Sequence, residues 1–424
     1  MLSIESKIGA NCSLQKAIFN IFVLSRKQLE KLFEKYYRKA DRVSVEFRRY
    51  LHEKIDWKNR LIGIKGARGA GKTTLLLQHI ALNLPQDHQT LYVSLDDLFF
   101  TEKKLVDLAD KFVKQGGRYL LLDEVHRYEG WSQELKNIYD DQPELNIIFT
   151  GSSIIHIEKA KADLSRRAVM YELFGLSFRE YLQFITNEDL AVIKLDDLLQ
   201  QHVSLARNIV KKLRPFEHFK NYLHYGYYPY FSENELIYPQ KLSETIALAL
   251  HTDLPAFYDI SYNSIEKIRL LLHIISESVP FKPNISKLSE RIGISRNSLV
   301  NFLHYLEDLR VIRGLYSATH GISLLQKPEK IYLHHPNLHV ALSDQNSNVG
   351  NMRESFFANQ LSVVHPLRYV DDGDFGILDY VFEVGGKNKT ARQVKHVERS
   401  FVVADDIEIG HQHKIPLWLF GFLY

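Results

Sequence analysis

The feature that most constrains this sequence is a glycine-rich turn between a short apolar run and a helical pattern. The segment Gly66–Thr73 matches the pattern Gly-x-x-x-x-Gly-Lys-[Ser/Thr] at every fixed position. The run Arg60–Lys65 before it predicts a strand, and Thr74–Leu82 after it predicts a helix. Glycines let backbone N–H groups converge on phosphate oxygens, and the amino terminus of a helix adds a favourable dipole. The sequence therefore predicts that a nucleoside triphosphate binds at this turn.

Two side chains of this P-loop have expected roles in binding the phosphates and the metal ion. The Lys72 ammonium would bring positive charge to the β- and γ-phosphates, and the Thr73 hydroxyl would bind Mg²⁺. The predicted nucleotide-binding residues are Gly66, Ala67, Arg68, Gly69, Ala70, Gly71, Lys72, Thr73 and Thr74.

An acidic pair follows a second apolar run. The segment Arg118–Leu122 predicts a buried strand, and Asp123 and Glu124 come directly after it. Ligands bind at the carboxyl ends of parallel strands. We therefore expect Asp123 and Thr73 to hold Mg²⁺, partly through water, and Glu124 to orient or deprotonate the attacking water. Alone, an acidic pair would indicate a solvated strand end, but together with the P-loop it favours Mg²⁺-dependent hydrolysis.

Two further groups are candidates for the same chemistry. A third apolar run, Asn146–Thr150, predicts a strand from which Thr150 or Ser152 would hydrogen-bond the γ-phosphate or the water. A helix cap is the alternative for these hydroxyls. Arg166 or Arg167 would stabilise negative charge in phosphoryl transfer, either in the same chain or from a neighbour, unless the two lie on a solvated helix surface.

The order of elements predicts the fold class. Predicted strands, with a further one at Thr90–Ser94, alternate with helical patterns. This order is typical of an α/β fold in which a parallel sheet of the P-loop NTPase type carries flanking helices.

A series of motifs resembles one family. The P-loop, the Leu120–His126 run, the segment around Trp131, and Leu176–Glu180 resemble prokaryotic AAA-type predicted ATPases with a C-terminal restriction-endonuclease-like domain. The resemblance implies ATP as the nucleotide. It also implies four parts, namely a P-loop ATPase core (56–180), a helical lid (181–260), a winged-helix-like module (261–320) and a small C-terminal α/β nuclease-like domain (321–424). Amphipathic spacing before the core predicts an N-terminal helical segment (1–55).

The predicted winged-helix-like module contains a helix–turn–helix pattern. The first helix of Asn284–Leu299 ends near Gly293, and Ser295 can cap the next. Arg296 and Asn297 would then lie at the start of a recognition helix, where base edges are read. The acidic residues Glu290, Glu307 and Asp308 offset the positive charge nearby, so packing is the alternative role.

The C-terminal part carries a possible set of nuclease residues. Asp374, Glu383 and Lys387, with Glu354 upstream, are the residue types that surround a catalytic divalent metal. Gly385 stands where such sites usually place the lysine, and Lys387 would share a face with Glu383 only on an unbroken strand. The domain is therefore either an active nuclease or a nuclease-shaped binding or regulatory domain.

Composition excludes some classes of protein. Lys and Arg number 54 against 51 Asp and Glu, so the formal net charge of +3 does not by itself indicate nucleic-acid binding. A single cysteine, Cys12, rules out an intrachain disulfide. No signal peptide and no run of about 18 apolar residues is evident, which predicts a cytoplasmic protein without membrane contact.

These patterns predict ATP hydrolysis coupled to conformational change of the helical and C-terminal domains. A nucleotide-dependent DNA-binding switch and an ATP-gated nuclease are the alternatives. DNA, a protein or further copies of the chain are left open as partners.

Overall fold

The computed structural model describes residues 29–151, 164–255, 258, 260–278, 280–317, 327–342, 349–394 and 396–424. The helices are α1 (29–40), α2 Leu51–Lys54, α3 Lys72–Asn83, α4 Leu105–Lys114, α5 Trp131–Asp141, α6 Phe178–Thr186, α7 Leu195–Lys212, α8 Pro215–Tyr225, α9 Tyr238–Leu248, α10 Tyr262–Ser278, α11 Ile285–Ile292, α12 Arg296–Asp308, α13 Asn337–Leu342 and α14 Val349–Ser362. The strands are β1 Leu61–Lys65, β2 Thr90–Ser94, β3 Tyr119–Asp123, β4 Asn146–Gly151, β5 Val169–Glu172, β6 Ile312–Leu315, β7 Lys330–Leu333, β8 Phe375–Ile377, β9 Tyr380–Gly385, β10 Ser400–Ala404 and β11 Lys414–Pro416.

Five parallel strands form the central sheet in the order β2-β3-β4-β1-β5. Near-continuous apolar runs such as β1, where all five residues are buried, suit a parallel sheet that is covered on both faces. The sequence prediction of a P-loop NTPase sheet with flanking helices is confirmed. Because β4 lies between β1 and β3, the carboxyl ends of these three strands meet at one edge.

Alternate residues of the strands enter two separate cores. Ile62 and Ile64 of β1 pack on the face covered by α3, whereas Leu61 belongs to the other face, which α4 and α5 cover. This alternation follows from the pleat, which directs successive side chains to opposite faces. The ATPase core therefore has three layers, helix–sheet–helix.

The strand β5 is absent from the sequence interpretation. Its four residues, Val169–Glu172, lie at the edge of the sheet, and none of them is buried. Its residues Val169–Tyr171 are apolar, but an edge strand of four residues is too short for periodicity to identify it.

The C-terminal strands form a second sheet in the order β11-β10-β9-β8, in which only β8 is antiparallel to its neighbour. The apolar run Ile415–Leu423 is strand only at its start, because a 3₁₀ helix covers Leu417–Phe422. Every residue of that helix is buried, and a fully apolar run does not distinguish strand from helix.

The chain beyond the central sheet packs back against it. The amide of Ile193 donates to the carbonyl of Phe422, and the Ser177 hydroxyl donates to the carbonyl of Tyr424 at 2.8 Å. One apolar cluster runs from α3 through the middle helices to the 3₁₀ helix Leu417–Phe422. Within the part of the chain that the structure describes, no helix is long and apolar enough to cross a membrane.

Candidate active site

The P-loop turns between β1 and α3 through two left-handed glycines. Gly69 has a φ of 79° and Gly71 a φ of 97°, which is the region that favours glycine. A Cβ added at Gly69 would lie 2.5 Å from the ring of Tyr230, so close approach also requires glycine there. Gly71 is the N-cap of α3 and brings no capping side chain. The first amide groups of α3 are therefore directed into the loop, where an anion can accept from them.

The Lys72 ammonium is held inside the loop. Its Nζ donates to the carbonyls of Gly66 at 2.9 Å and Ala67 at 3.0 Å, and the residue is 5% exposed. Burial lowers the pKa of Lys72, and the nearby Glu124 and Asp123 carboxylates oppose that shift. The charge that would meet a phosphate is thus already positioned at the loop.

Three hydroxyl groups surround the Asp123 carboxylate. Thr73 Oγ1 donates to Asp123 Oδ2 at 2.6 Å, and Thr150 Oγ1 donates to Oδ1. Tyr92 of β2 donates to Oδ2 at 2.7 Å. The structure thus brings together the predicted residues Thr73, Asp123 and Thr150, while Ser152 lies outside the described residues. Thr150 contacts the carboxylate, so it supports Asp123 from β4.

Tyr92 is a site residue that the sequence analysis does not identify. Burial and the neighbouring Asp123 carboxylate raise the pKa of Tyr92, so the phenol keeps its proton and stays a donor. In the sequence it is one more residue of an apolar strand. The sequence could have indicated this contact, because a buried tyrosine hydroxyl needs a hydrogen-bond partner and the acidic end of a neighbouring strand can provide one.

Glu124 lies in the same cavity as Lys72 and Thr73. The cavity measures about 770 Å³ and also receives the rings of Phe47 and Phe184. Glu124 has a φ of 53°, an uncommon backbone conformation for a residue other than glycine. Such local strain clusters at functional sites. Its Oε2 lies 3.5 Å from Nε2 of His126. Glu124 is therefore placed to contact water beside the phosphate position.

Two arginines brace the loop from outside. Arg68 Nη2 donates to Asp253 Oδ1 at 3.0 Å, so its side chain ties the loop to the segment after α9. Arg49 donates to the carbonyl of Ala70 and, through Nε and Nη2, to both carboxylate oxygens of Glu180 at 3.0 and 3.1 Å. Arg68 thus links the loop to the helical region, and Arg49 fixes the loop through a buried ion pair.

The position of Arg166 and Arg167 is a correction to the sequence interpretation. Both precede β5, which runs parallel to β1, so they lie at the amino edge of the sheet, opposite the P-loop. Arg167 donates through Nε and Nη2 to Asp140 at 2.9 Å, and Arg166 is exposed. Neither arginine therefore reaches the P-loop of its own chain; a role toward a neighbouring chain stays a prediction.

The second acidic cluster lies in the C-terminal domain and already holds two lysines. Lys330 Nζ lies 3.0 Å from Glu354 Oε2 and 3.1 Å from Asp374 Oδ1, and Lys389 pairs with Glu383. In the described ranges, no group of three His, Cys, Asp or Glu side chains is placed to hold a metal ion. The carboxylates are thus paired with ammonium groups, and nuclease activity of this domain stays a prediction.

Lys387, the lysine that the sequence analysis placed beside Glu383, does not contact that carboxylate in the structure. β9 ends at Gly385, and Lys387 is exposed beyond it, so the two residues after the glycine leave the strand face. The side chain of Lys389, instead of Lys387, lies against the strand and pairs with Glu383. A Cβ added at Gly385 would lie 2.7 Å from Cδ of Lys389. The side chain of Lys389 fills the space that Gly385 leaves open.

Comparisons with known proteins agree with this geometry in part. Residues 58–182 match the model of an AAA domain, and residues 216–349 match a domain of unknown function. The AAA match includes the P-loop, Asp123 and Thr150, so the fold of this part of the chain is similar to that of AAA-type ATPases. The restriction-endonuclease-like character of the C-terminal domain stays a prediction.

Similar chains occur in archaea and bacteria. An uncharacterized protein of Methanocaldococcus jannaschii is 27% identical over 299 residues, which are 66% of this chain and 63% of that protein. An uncharacterized protein of Haemophilus influenzae is 24% identical over 280 residues, which are 61% of this chain and 63% of that protein. The chain thus spans less than two thirds of the length of these relatives. A Walker-type ATPase of Pyrococcus abyssi is 12% identical, with a TM-score of 0.39 over 70% of this chain and 95% of that one.

Proposed function

We propose that the chain binds Mg²⁺·ATP at the P-loop and hydrolyses the γ-phosphate. The observation that carries the proposal is the 2.6 Å hydrogen bond from Thr73 to Asp123, which joins the P-loop helix to the end of β3. Glu124, the next residue, lies in the cavity that Lys72 also lines. A phosphate-binding loop, an acidic metal partner and a carboxylate base therefore meet at one point.

The residues present fit a magnesium ion. The Thr73 hydroxyl and the Asp123 carboxylate are oxygen donors, and Mg²⁺ is usually held by one or two such groups together with substrate phosphates and waters. When bound, the ion would neutralise charge on the β- and γ-phosphates. Tyr92 and Thr150 fix the carboxylate in its rotamer through their hydroxyl groups.

The chain's own groups supply the rest of the reaction. Lys72 and the first amides of α3 hold the phosphate oxygens and stabilise charge that develops on them. The Glu124 carboxylate accepts the proton of the attacking water, or orients that water, within the cavity. Phe47 and Phe184 form an apolar wall of the cavity against which the adenine ring would pack. The preference for ATP follows from the AAA-type match.

The alternatives differ in what the nucleotide controls. An ATP-gated nuclease would use the C-terminal carboxylates, of which Glu354 and Asp374 are paired with Lys330 in this structure. A DNA-binding switch with slow turnover shares the same nucleotide site. Movement of the helical region would reach the loop through the Arg68–Asp253 ion pair, whose two side chains are largely buried. A protein partner or a second copy of the chain stays open as the regulator.

Three variants test the proposal. Glu124→Gln should keep binding of a fluorescent ATP analogue while kcat falls by about 10²–10⁴-fold, the usual contribution of a positioned base. Lys72→Ala should lose binding itself. Glu129→Gln, an exposed carboxylate five positions away, is the matched control and should behave as wild type.

Two results would overturn the proposal. One is a wild-type protein that neither binds nor hydrolyses Mg²⁺·ATP at millimolar concentration. The other is a Glu124→Gln variant with unchanged kcat. The Glu124→Gln variant also separates the two readings of the ATPase. A binding switch stays functional when this variant traps ATP, whereas a protein that needs repeated hydrolysis does not.

A further inference from the structure

We propose that the exposed face of α12, with the cleft beside it, binds double-stranded DNA. This surface shares no residue with the nucleotide site, so the inference goes beyond the proposed ATPase and can fail independently of it. The module that carries it consists of α10, α11, α12 and the antiparallel pair β6–β7, with Phe281 bridged to Ile331 as a third strand position. This order is winged-helix-like, and α12 occupies the place of the recognition helix.

The two faces of α12 differ in character. Leu299, Phe302, Leu303 and Leu306 are buried and pack the helix into its module. The opposite face consists of Arg296, Asn297, Val300, Asn301 and His304, at helical spacing. From Arg296 to Asn301 that face has no carboxylate, whereas Glu307, in the last turn of the helix, lies 3.5 Å from His304. Arginine and asparagine are side chains that pair with base edges in the major groove.

The start of the helix is defined by its caps. Gly293 ends α11 with a φ of 69°, and the Ser295 hydroxyl accepts from the amide of Ser298. The predicted serine cap is therefore confirmed. It directs Arg296 and Asn297 outward at the first turn, where both residues are exposed.

A cleft of about 530 Å³ adjoins this end of the helix. Lys282, Arg296 and Lys327 line it together with Asn284 and Ser286, and none of its described lining residues is acidic. Lys282 donates to the Tyr369 hydroxyl at 2.6 Å. Arg296 and Lys327 have no ion pair with any described residue. The Tyr369 hydroxyl in turn donates to Asp371 at 3.1 Å, so Lys282 is partly balanced. Arg296 and Lys327 are therefore the cations that best complement a phosphate backbone.

The acidic residues that offset this charge in the sequence lie at the other end of α12. Asp308 accepts from the Tyr258 hydroxyl at 2.7 Å, and Glu307 accepts from the amide of Gly314 and the hydroxyl of Tyr316. Glu290 on α11 is exposed, and Asp371 and Glu329 lie near Lys282 at the cleft. The 13-residue helix spans about 20 Å at 1.5 Å per residue, which separates the basic end from these acids.

The carboxyl end of α12 faces the ATPase core. Arg310 Nη2 donates to Glu172 of β5 at 2.7 Å, and Glu172 also pairs with Lys65 at 3.3 Å, directly before the P-loop. Leu309 and Val311 line a small cavity against Ala67 and Arg68. The basic end of α12 therefore points away from the nucleotide site, and duplex DNA bound there would not obstruct nucleotide entry.

The occupant is a duplex rather than a single strand. Single strands are bound largely by stacking of bases on aromatic rings, and the face from Arg296 to His304 presents no aromatic side chain to solvent. A helix with arginine and asparagine flanked by lysines suits a major groove and its two phosphate rims.

Fluorescence anisotropy of the full-length chain with a labelled 25-base-pair mixed-sequence duplex tests the inference. Each phosphate contact contributes about 0.9 to the slope of log K against log salt, which is about eightfold in affinity at 0.1 M salt. The double variant Arg296→Gln/Lys327→Gln should therefore bind about 60-fold more weakly at 0.1 M salt, with a slope reduced by about 1.8. The double variant Lys111→Gln/Arg207→Gln removes the same charge from exposed positions on α4 and α7, and it should bind as wild type.

Asn297→Ala and Asn301→Ala separate base contact from phosphate contact, since both should weaken binding without changing the salt slope. The inference is overturned if wild type does not bind the duplex. It is also overturned if the two double variants lose affinity equally, or if single-stranded DNA or RNA of the same length binds more tightly. ATP hydrolysis by the same preparations shows independently whether the P-loop is active.

Discussion

Lys330 offers the sharpest test of the C-terminal acidic cluster, through the variant Lys330→Met. Its ammonium forms ion pairs with both Glu354 and Asp374. The side chains of Lys330, Glu354 and Asp374 are 17%, 18% and 16% exposed. Removing one partner of a buried ion pair costs about 3–5 kcal/mol, because the remaining charge is left unpaired. Since this cluster is partly open to water, we expect the lower end, about 3 kcal/mol. With a urea m-value near 3 kcal/mol/M, the midpoint should fall by about 1 M.

The sign of the pH dependence follows from Glu354. Burial and the Asp374 carboxylate raise the pKa of Glu354 even with Lys330 present. Loss of the ammonium raises that pKa further, so the folded variant takes up a proton more readily than the unfolded chain does. Protonation removes one of the two unpaired negative charges. The deficit in unfolding free energy should therefore be largest at pH 8 and shrink toward pH 5.

Urea denaturation followed by tryptophan fluorescence measures both effects. Lys330→Arg keeps the charge and should recover most of the stability. Lys114→Met removes an exposed partner of Asp110, at 72% and 47% side-chain exposure, and should leave the midpoint nearly unchanged. If Lys330→Met matches wild type at pH 8, or loses stability equally at both pH values, Lys330 is not the counter-ion of these carboxylates.

Two further substitutions test the P-loop geometry and the corrected arginines. Gly69→Ala combines a φ of 79° with a contact of 2.5 Å to the Tyr230 ring, and it should weaken binding of a fluorescent ATP analogue at least about tenfold. Gly130→Ala has a similar φ of 74° but meets no atom within 4 Å, so unchanged affinity is expected there; equal losses would contradict the steric reason. Arg167→Ala should leave kcat unchanged in dilute protein, because the side chain pairs with Asp140 at the far edge of the sheet. A large loss that depends on protein concentration would instead show that the arginine acts on a neighbouring chain.

The sequence predicted those parts of the site whose chemistry is local. The P-loop spacing and the acidic end of β3 identify Lys72, Thr73 and Asp123 without any long-range information, and the structure brings them together. The alternation of strands and helices also predicted the parallel sheet. These features depend on a strand–turn–helix unit and on the rule that ligands bind at carboxyl ends of strands.

The remaining parts depend on contacts that the sequence does not encode locally. Arg49 and Glu180 are 131 positions apart, and neither residue type indicates the other as its partner. The position of the two arginines depends on β5, an edge strand of four residues that is too short for periodicity to identify. The sequence analysis named Lys387 and not Lys389, because spacing assumes an unbroken strand, whereas β9 ends at Gly385.

The buried ion pair of Arg49 has a practical consequence for recombinant fragments. The stretch that matches an AAA domain is 58–182, which contains Glu180 but not Arg49. A protein excised at those limits would keep a carboxylate that is fully buried here and would lose its guanidinium partner, along with the clamp on the Ala70 carbonyl. The smallest autonomous ATP-binding piece should therefore start upstream of Arg49, whatever limits similarity alone suggests.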